Sequence, residues 1–242
     1  MITKNYIKFV QSLHQKKYRQ KYTQFIVEGE KSVIELINSD FEICEINASI
    51  EWIEKNANHL KNQKIQEASK ADLERMSFFK TPSEVIAVVN QKKHKKPNLS
   101  QKKILCLDGI NDPGNLGTIV RIADWYGLNY IFCSPDTVDF YNPKTISSTM
   151  GSFTRVEVIY IDLVSLLGSI HLPILFAEME GQSVYETTEK EAILVIGSEA
   201  NGISNELKSV QHQSITIPKF GKAESLNAAV ATAILCDRIF GG

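Results

Sequence analysis

The sequence predicts an α/β protein built from two domains. Short apolar strands alternate with helices through the second half, a less regular alternation covers the first part, and a polar, basic stretch containing Pro97 separates them. Apolar strands that alternate with helices form a mainly parallel sheet covered by helices on both faces. We therefore expect a small N-terminal α/β domain over residues 1–90, a basic linker over 91–103 and a larger domain over 104–242.

The N-terminal domain is predicted from apolar spacing and capping residues. Ile7, Val10 and Leu13 recur at helical spacing, and Ser49 stands where a cap would begin a helix. Residues 85–90 are mostly apolar and β-branched, which is typical of a buried strand. In chain order, we predict a helix over 5–14, a strand over 25–27, a helix over 28–38, a strand over 41–47, helices over 50–60 and 71–76, and a strand over 85–90.

The second domain alternates more regularly, and its last helix is unusual. That helix is almost wholly apolar, yet it begins with Ser225 and Asn227, which are costly to bury without partners. We therefore expect its polar tip to serve a site. The predicted strands cover 104–108, 130–133, 156–161, 174–177, 192–196 and 215–217, and the predicted helices cover 116–126, 143–150, 163–167, 205–210 and 226–240.

Composition narrows the class of protein. The chain has 242 residues with 27 Lys and Arg against 28 Asp and Glu, which is typical of a globular protein. No apolar run approaches the roughly 18 residues of a membrane span. The four cysteines are scattered, with no histidine at ligand spacing, so we expect reduced core cysteines and no metal site. These features predict a cytoplasmic protein that does not associate with membranes.

The net charge of −1 hides an asymmetry between the two halves. Residues 1–103 carry 19 basic and 12 acidic side chains, whereas residues 104–242 carry 8 and 16. Lys16, Lys17 and Arg19 lie in a stretch without acids, interleaved with tyrosines. Cations that neutralise phosphates beside rings that stack on bases are typical of an RNA surface. The alternative is that these lysines simply cover a solvated face.

Three loops that follow predicted strands carry the candidate chemistry. They cover residues 108–117, 197–202 and 218–227, and each contains glycine. Parallel sheets bind ligands at the carboxyl ends of their strands, so we expect the three loops to lie together. In the first loop Gly109, Gly114 and Gly117 do not follow the GxGxxG spacing of a dinucleotide site, and the chain has no phosphate-loop motif GxxxxGK[ST].

These loops carry a family resemblance. Residues 111–121 (NDPGNLGTIVR), 197–199 (GSE) with Gly202, and 217–218 (IP) with 225–227 (SLN) resemble the three motifs of the SpoU (TrmH-type) RNA ribose 2′-O-methyltransferases. Residues 151–155 (GSFTR) resemble a further segment of that family. Residues 25–29 (FIVEG), with the helix that follows, resemble its ribosomal-protein-like substrate-binding domain.

The resemblance implies a fold, a cofactor and partners. It implies a deep C-terminal trefoil knot and an S-adenosylmethionine site in which Gly197, Ile217 and Leu226 hold the cofactor, with Gly197 allowing the ligand to approach closely. It also implies a homodimer that modifies RNA, ribosomal RNA being favoured over transfer RNA. We expect Arg155 to contact the RNA together with the basic N-terminal residues.

The resemblance gives Arg121 the central role in catalysis. Arg121 either accepts the proton of the ribose hydroxyl with help from a substrate phosphate or stabilises the developing alkoxide. Glu199 either holds Arg121 or orients Asn115 and Asn227. Asn115, Ser225 and Asn227 would position the ribose and its phosphate, so that Arg121, Asn115, Glu199, Ser225 and Asn227 form the expected catalytic set.

One departure from the family pattern leaves a second function open. Many members continue the third motif with Val-Ser-Val-Ala, whereas this chain has Ala228 and Ala229 followed by Val230 and Ala231. The missing hydroxyl group leaves Arg121 unchanged, so activity is still expected. The alternative function is a catalytically weak or inactive RNA-binding protein that keeps the fold.

Overall fold

The computed structural model describes residues 2–61, 63–92 and 102–241. Most of the predicted linker, residues 93–101, lies outside the described residues. Up to that stretch the secondary structure consists of α1 (Lys4–Ser12), α2 (Lys16–Tyr22), β1 (Gln24–Glu28), α3 (Glu30–Ile37), β2 (Ile43–Ala48), α4 (Ile50–Asn56), a 3₁₀ turn (Ala57–His59), β3 (Ile65–Glu67), α5 (Lys70–Met76) and β4 (Val85–Asn90).

The second part of the chain alternates strands and helices as predicted. Its elements are β5 (Lys103–Asp108), α6 (Pro113–Trp125), β6 (Tyr130–Cys133), α7 (Pro143–Ser148), a 3₁₀ turn (Ser152–Thr154), β7 (Glu157–Tyr160), α8 (Leu163–Ser169), β8 (Ile174–Ser183), β9 (Ala192–Gly197), α9 (Asn205–Lys208), β10 (Gln213–Thr216) and α10 (Ala228–Phe240). No helix of the described residues is long and apolar enough to cross a membrane.

The chain divides into two compact units. The first unit contains Met1–Lys93 and also Asp139–Thr154, and the second contains His94–Val138 and Arg155–Gly242. The sequence pattern did not indicate that residues 139–154 would pack with the N-terminal half. The aromatic side chains of this stretch explain the difference, because they cover one face of the N-terminal sheet.

The first unit is built on a four-stranded sheet in the order β1-β4-β2-β3. Strand β4 runs antiparallel to β1 and β2, whereas β2 and β3 are parallel. Helices α1 and α5 cover one face through a core that includes Val10, Leu13, Leu73, Met76 and Ile86. The sheet therefore buries the apolar face of α1 that the helical spacing predicted.

Residues 139–154 pack on the opposite face of this sheet. Successive strand residues point to opposite faces, so Phe25 faces away from its neighbour Ile26, which belongs to the core under α1 and α5. The Phe25 ring lies 4.5 Å from the ring of Tyr141 and 6.2 Å from that of Phe153, measured between centroids. Phe41 contacts Phe153 in the same way. These aromatic contacts make residues 139–154 part of the N-terminal core.

Glu28 closes a loop in the first unit. Its buried carboxylate accepts hydrogen bonds from Ser77 Oγ at 2.5 Å and from the backbone N–H groups of Phe78 and Ser83, both at 3.2 Å. Gly29 follows with a φ of +108°, a conformation that favours glycine. The Glu-Gly pair of the FIVEG segment therefore has a structural role here.

The second unit is built on a six-stranded, fully parallel sheet in the order β10-β8-β9-β5-β6-β7. One face packs on α8 and α9, where Cys106 and Phe132 contact a core that contains Leu163 and Leu207. Alternate strand residues such as Leu105 are equally buried and face the other side, where α6 and α10 pack together. The predicted α/β class with helices on both faces is confirmed.

Candidate active site

The loops after β5 and β9 lie side by side in the middle of the parallel sheet. Asp108, the last residue of β5, is paired with Gly197, the last residue of β9. Strands β6 and β7 lie on one side of β5 in the sheet, and β9 and β8 lie on the other side. The direction in which successive strands are added therefore reverses beside β5. Such a reversal leaves a crevice at the carboxyl ends of the strands, which is where sheets of this type bind ligands.

Three side chains from three loops meet above this crevice. One carboxylate oxygen of Glu199, Oε1, accepts hydrogen bonds from Asn115 Nδ2 at 2.9 Å, Asn227 Nδ2 at 2.8 Å and the backbone N–H of Ala228 at 3.1 Å. Asn227 Nδ2 also donates to Asn115 Oδ1 at 2.9 Å. Of the two expected roles of Glu199, this geometry favours the orientation of Asn115 and Asn227. We call these three residues the polar triad.

Helix starts fix two members of the triad. Asp112 caps α6 by accepting from the backbone N–H of Asn115, and Pro113 occupies the first helical position. Asn227 caps α10, and its Oδ1 accepts from the backbone N–H groups of Ala229 and Val230. The polar tip of the apolar helix is therefore explained: the Asn227 amide caps the helix with its oxygen and joins the triad with its nitrogen.

A cavity of about 790 Å³ opens beside the triad, within the volume range of small-molecule sites. Gly197, Ile217 and Leu226, the three expected cofactor residues, all line it, as do Ser225 and Glu199. Its lining includes the apolar side chains of Ile196, Ile217 and Leu226 and residues of the loops 197–202 and 218–227. This lining fits a nucleoside, because the apolar side chains can hold the base and backbone groups of the loops can bind its polar edges.

Gly197 is required by the loop itself. A Cβ atom at this position would lie 2.2 Å from the carbonyl carbon of Gly202, because the loop folds back and pairs Ser198 with Gly202. From the sequence, this glycine was expected to allow close approach of a ligand. The structure gives a reason within the protein, namely the tight return of residues 198–202 that shapes the cavity wall.

Arg121 lies on α6, six residues after Asn115, with an exposed side chain. Among the described residues, none forms a hydrogen bond or ion pair with its guanidinium. The structure therefore does not link Arg121 to Glu199, and the expected alternative in which Glu199 holds Arg121 is not supported. The guanidinium is available to an external anion.

Arg19 corrects one expectation about the RNA surface. Its side chain is only 2% exposed, and its guanidinium pairs with Asp139 and donates to the carbonyl oxygens of Leu13 and His14, each at 2.8 Å. A buried cation that is held by protein acceptors cannot reach an RNA phosphate. Lys16 and Lys17, by contrast, are exposed as expected.

Arg155 is paired within the second unit. Its guanidinium donates to both carboxylate oxygens of Asp124, with Nε–Oδ1 at 3.1 Å and Nη2–Oδ2 at 2.9 Å. This bidentate pair offsets the charge that an RNA contact would use.

In the described part of the chain, no group of three or more His, Cys, Asp and Glu side chains could hold a metal ion.

Several charged residues of the cavity wall are not predicted from the sequence, and two of them are close partners. Glu178 and Lys208 both line the cavity. The sequence pattern does not indicate Glu178, because the apolar run that predicts its strand ends at Ala177, whereas β8 continues to Ser183. An acidic residue directly after a buried strand would have been the signal for it.

Comparison with known families decides which chemistry this arrangement serves. A model of the SpoU rRNA Methylase family matches residues 102–237, more than half of the chain. The chain belongs to this family. A second model, of the MRM3-like substrate binding domain, matches residues 4–87.

Similar proteins cover nearly the whole chain. The 23S rRNA (guanosine(2553)-2′-O)-methyltransferase RlmP of Bacillus subtilis is 30% identical, over 97% of this chain and 96% of its own length. An RNA methyltransferase structure of the TrmH family from Porphyromonas gingivalis is 34% identical, with a TM-score of 0.85 and 98% of both chains covered. An AdoMet-bound rRNA methyltransferase from Sinorhizobium meliloti is 25% identical, with a TM-score of 0.86, and covers 99% of this chain and 95% of that one.

Family membership identifies the reaction and the cofactor. The chain is an RNA methyltransferase that uses S-adenosylmethionine and acts on a ribose 2′-hydroxyl. The residues present fit that cofactor, because the cavity combines an apolar lining with glycine-containing loops at the carboxyl edge of the sheet.

Proposed function

We propose that this SpoU-family enzyme methylates a ribose 2′-hydroxyl of ribosomal RNA, with the cofactor in the 790 Å³ cavity and the acceptor ribose at the polar triad. The observation that carries the proposal is the meeting of Asn115, Glu199 and Asn227 from three separate loops, with Glu199 also lining that cavity. The Bacillus relative, named as a 23S rRNA methyltransferase, supports ribosomal RNA as the substrate.

The protein supplies alignment more than activation. When bound, S-adenosylmethionine supplies a methyl group on a sulfonium, which is already activated for transfer. Ile217 and Leu226 provide apolar walls for the nucleoside, and the loop of Gly197 shapes the cavity on the other side. Glu199 fixes the amides of Asn115 and Asn227, so their remaining donor and acceptor positions can orient the ribose, with Ser225 at the same rim.

Arg121 is proposed to act on the charge of the substrate. A guanidinium is essentially never deprotonated in proteins, so it is a poor general base. It is well suited to bind the phosphate beside the target ribose and to stabilise the alkoxide that develops when the hydroxyl loses its proton. Its exposure and lack of a partner in the described part of the chain support this role.

The decisive experiment is transfer of labelled methyl groups from S-adenosylmethionine to RNA from a strain that lacks this gene. We expect label in ribosomal RNA with wild type and about 10²- to 10³-fold less with Arg121→Ala, since that is the usual loss when one stabilising donor is removed. Glu199→Gln should also be impaired, because it removes the charge that orients both amides. Glu206→Gln, an exposed change on α9, is the matched control.

The outcomes separate the functions. Label in transfer RNA alone would contradict the proposed substrate. No label from wild type, together with calorimetric binding of the cofactor, would favour the alternative of an inactive RNA-binding protein. Mass spectrometry of the labelled RNA identifies the nucleotide.

We further propose that the first unit binds the RNA and that the enzyme is a cytoplasmic homodimer with a knotted C-terminal segment. The match to the MRM3-like substrate binding domain and the exposed Lys16 and Lys17 support the first statement. Helices α6 and α10 each leave a large apolar side chain uncovered, Trp125 at 85% and Val230 at 48% exposed, which supports a dimer. The likeness to the Porphyromonas structure over 98% of the chain supports the knot.

A further inference from the structure

Glu178 is a carboxylate on the cavity wall that none of the three motifs contains. Strand β8 pairs with β9 so that Ala177 stands beside Ile196, which places Glu178 next to Gly197 at the carboxyl edge of the sheet. Glu178 lines the same cavity as Ile217 and Leu226. Glu178 therefore lies where the pairing of β8 with β9 ends, and an acidic residue at the carboxyl edge of a parallel sheet can bind the ribose of a nucleotide ligand.

Two protein donors hold the Glu178 carboxylate, one on each oxygen. Lys208 Nζ lies 3.1 Å from Oε1, and Ser214 Oγ donates to Oε2. A carboxylate offers about four lone-pair positions, so each oxygen keeps one free. Two neighbouring free acceptor positions match the two hydroxyl groups of a ribose, which can each donate one hydrogen bond.

The surroundings keep this carboxylate ionised. Partial burial alone would raise the pKa of Glu178, but the hydrogen bonds from Ser214 and Lys208 and the positive charge of Lys208 outweigh it, so the pKa lies below its usual value. An ionised carboxylate is an acceptor only, as two hydroxyl donors require. The side chain also remains 23% exposed, so the pair with Lys208 does not seal it from the cavity.

We propose that Glu178, held by Lys208 and Ser214, accepts hydrogen bonds from the 2′ and 3′ hydroxyl groups of the cofactor ribose and makes the cavity specific for a ribonucleoside. This inference rests on the proposal that the cavity holds the cofactor. Glu178 is then a specificity-determining residue for the methyl donor, distinct from the polar triad that faces the acceptor.

The experiment measures binding, without turnover, by calorimetry. The ligands are S-adenosylhomocysteine and its two counterparts that lack the 2′ or the 3′ hydroxyl. Removal of a hydroxyl that donates to a charged acceptor should weaken binding to wild type about tenfold to hundredfold. In Glu178→Gln this discrimination should shrink to about twofold. The variant no longer offers the hydroxyl groups a charged acceptor, so a ligand that lacks one hydroxyl loses little binding free energy.

Two further variants make the result specific. Glu206→Gln is the matched control, because Glu206 is an exposed carboxylate two residues before Lys208 on α9 and does not line the cavity. It should discriminate between the ligands as wild type does. Leu226→Arg places a long charged side chain in the cavity from an already exposed position, and should abolish binding of all three ligands.

Each outcome bears on one proposal. If Leu226→Arg binds as tightly as wild type, the cavity does not hold the cofactor and the proposed function fails with it. If Leu226→Arg loses binding but Glu178→Gln keeps the wild-type discrimination, only the role of Glu178 is overturned. A Glu178→Gln variant that weakens all three ligands equally, with a lowered melting temperature, would make Glu178 a structural residue and also overturn the inference.

Discussion

Arg19 has a structural role because it pairs with Asp139, a residue that is distant in the sequence. It sits among exposed lysines in the sequence, but its guanidinium is enclosed by Asp139 and by two carbonyl oxygens at the end of the first helical segment. Asp139 is 120 residues away along the chain. The ion pair and the carbonyl contacts hold α2 in place and join residues 139–154 to the N-terminal sheet.

We expect Arg19→Ala to lower the free energy of unfolding by about 3–5 kcal/mol, because it leaves a partly buried carboxylate without its partner. Urea denaturation of the full chain measures this change. Lys17→Ala is the matched control, since Lys17 lies on the same helix with an exposed side chain, and it should change stability by less than about 0.5 kcal/mol. An Arg19→Ala protein with unchanged stability and weakened RNA binding would restore Arg19 to the RNA surface.

Helix α2 combines cations with aromatic rings on its exposed side. Lys17 Nζ lies 4.8 Å from the centroid of the Tyr18 ring, and Lys21 Nζ lies 5.3 Å from that of Tyr22. The two tyrosine rings are nearly parallel, at an interplanar angle of 13° and a centroid distance of 6.4 Å. With Arg19 turned inward, this side of α2 carries the two kinds of group that are typical of RNA-binding surfaces, cations for phosphates and rings for bases.

Charge reversal on α2 should weaken RNA binding in a salt-dependent manner. For Lys17→Glu combined with Lys21→Glu, we expect lower affinity and a slope of log K against log salt that is shallower by about one for each phosphate that the variant no longer binds. Filter binding at several salt concentrations measures both quantities. The same reversal at Lys61 and Lys70, exposed lysines elsewhere in the first unit, is the control, and equal losses of affinity from both pairs would contradict a defined surface on α2.

In the second unit, the apolar surface of α6 and α10 exceeds what one sheet face covers. Buried residues of α10 such as Leu235 and Ile239 account for one side of the helix, whereas Ala231 and Ile234 are only half buried and Val230 is exposed. Trp125 stands almost fully in solvent at the end of α6. Apolar residues left over from the core are typical of a surface that another chain covers.

The proposed homodimer can be tested through Trp125. Light scattering at micromolar concentration should give twice the mass of the chain, and Trp125→Arg should shift the mass towards that of a single chain. The chain has two tryptophans, and Trp52 is buried at 1% exposure, so a change of fluorescence on dilution reports on Trp125. A wild-type monomer at that concentration, or a Trp125→Arg protein that stays dimeric, would count against this interface.

Local patterns predicted most elements, and long-range contacts account for the ones that were missed. Strands β4 and β6 have the predicted bounds, because their apolar runs end where the strands end. Helix α2 lacks an apolar period and depends on Arg19, so no local signal indicates it. Strand β8 was predicted too short because its polar half pairs with β10, for example Gln182 with Ile215, a partner that the local sequence does not indicate.

The candidate site was predictable to the extent that its residues lie in motifs. The three residues of the polar triad were expected from three loops, and their hydrogen bonds favour the role in which Glu199 orients Asn115 and Asn227. The steric requirement for glycine at position 197 was not predictable, since it depends on how the loop of residues 198–202 folds back against Gly197. Glu178 belongs to no motif, and only the register of β8 against β9 brings it to the cavity.

The packing of residues 139–154 in the first unit has a consequence for the order in which the protein folds during synthesis. The N-terminal sheet is translated by Asn90, but the side chains that cover Phe25 and Phe41 come from Tyr141 and Phe153. Domains usually fold as units while the chain emerges. Here the aromatic face of the N-terminal sheet stays uncovered until about residue 154 has left the ribosome, so the first unit cannot complete its core before then. By that time β5 and β6 of the second unit have already been synthesised.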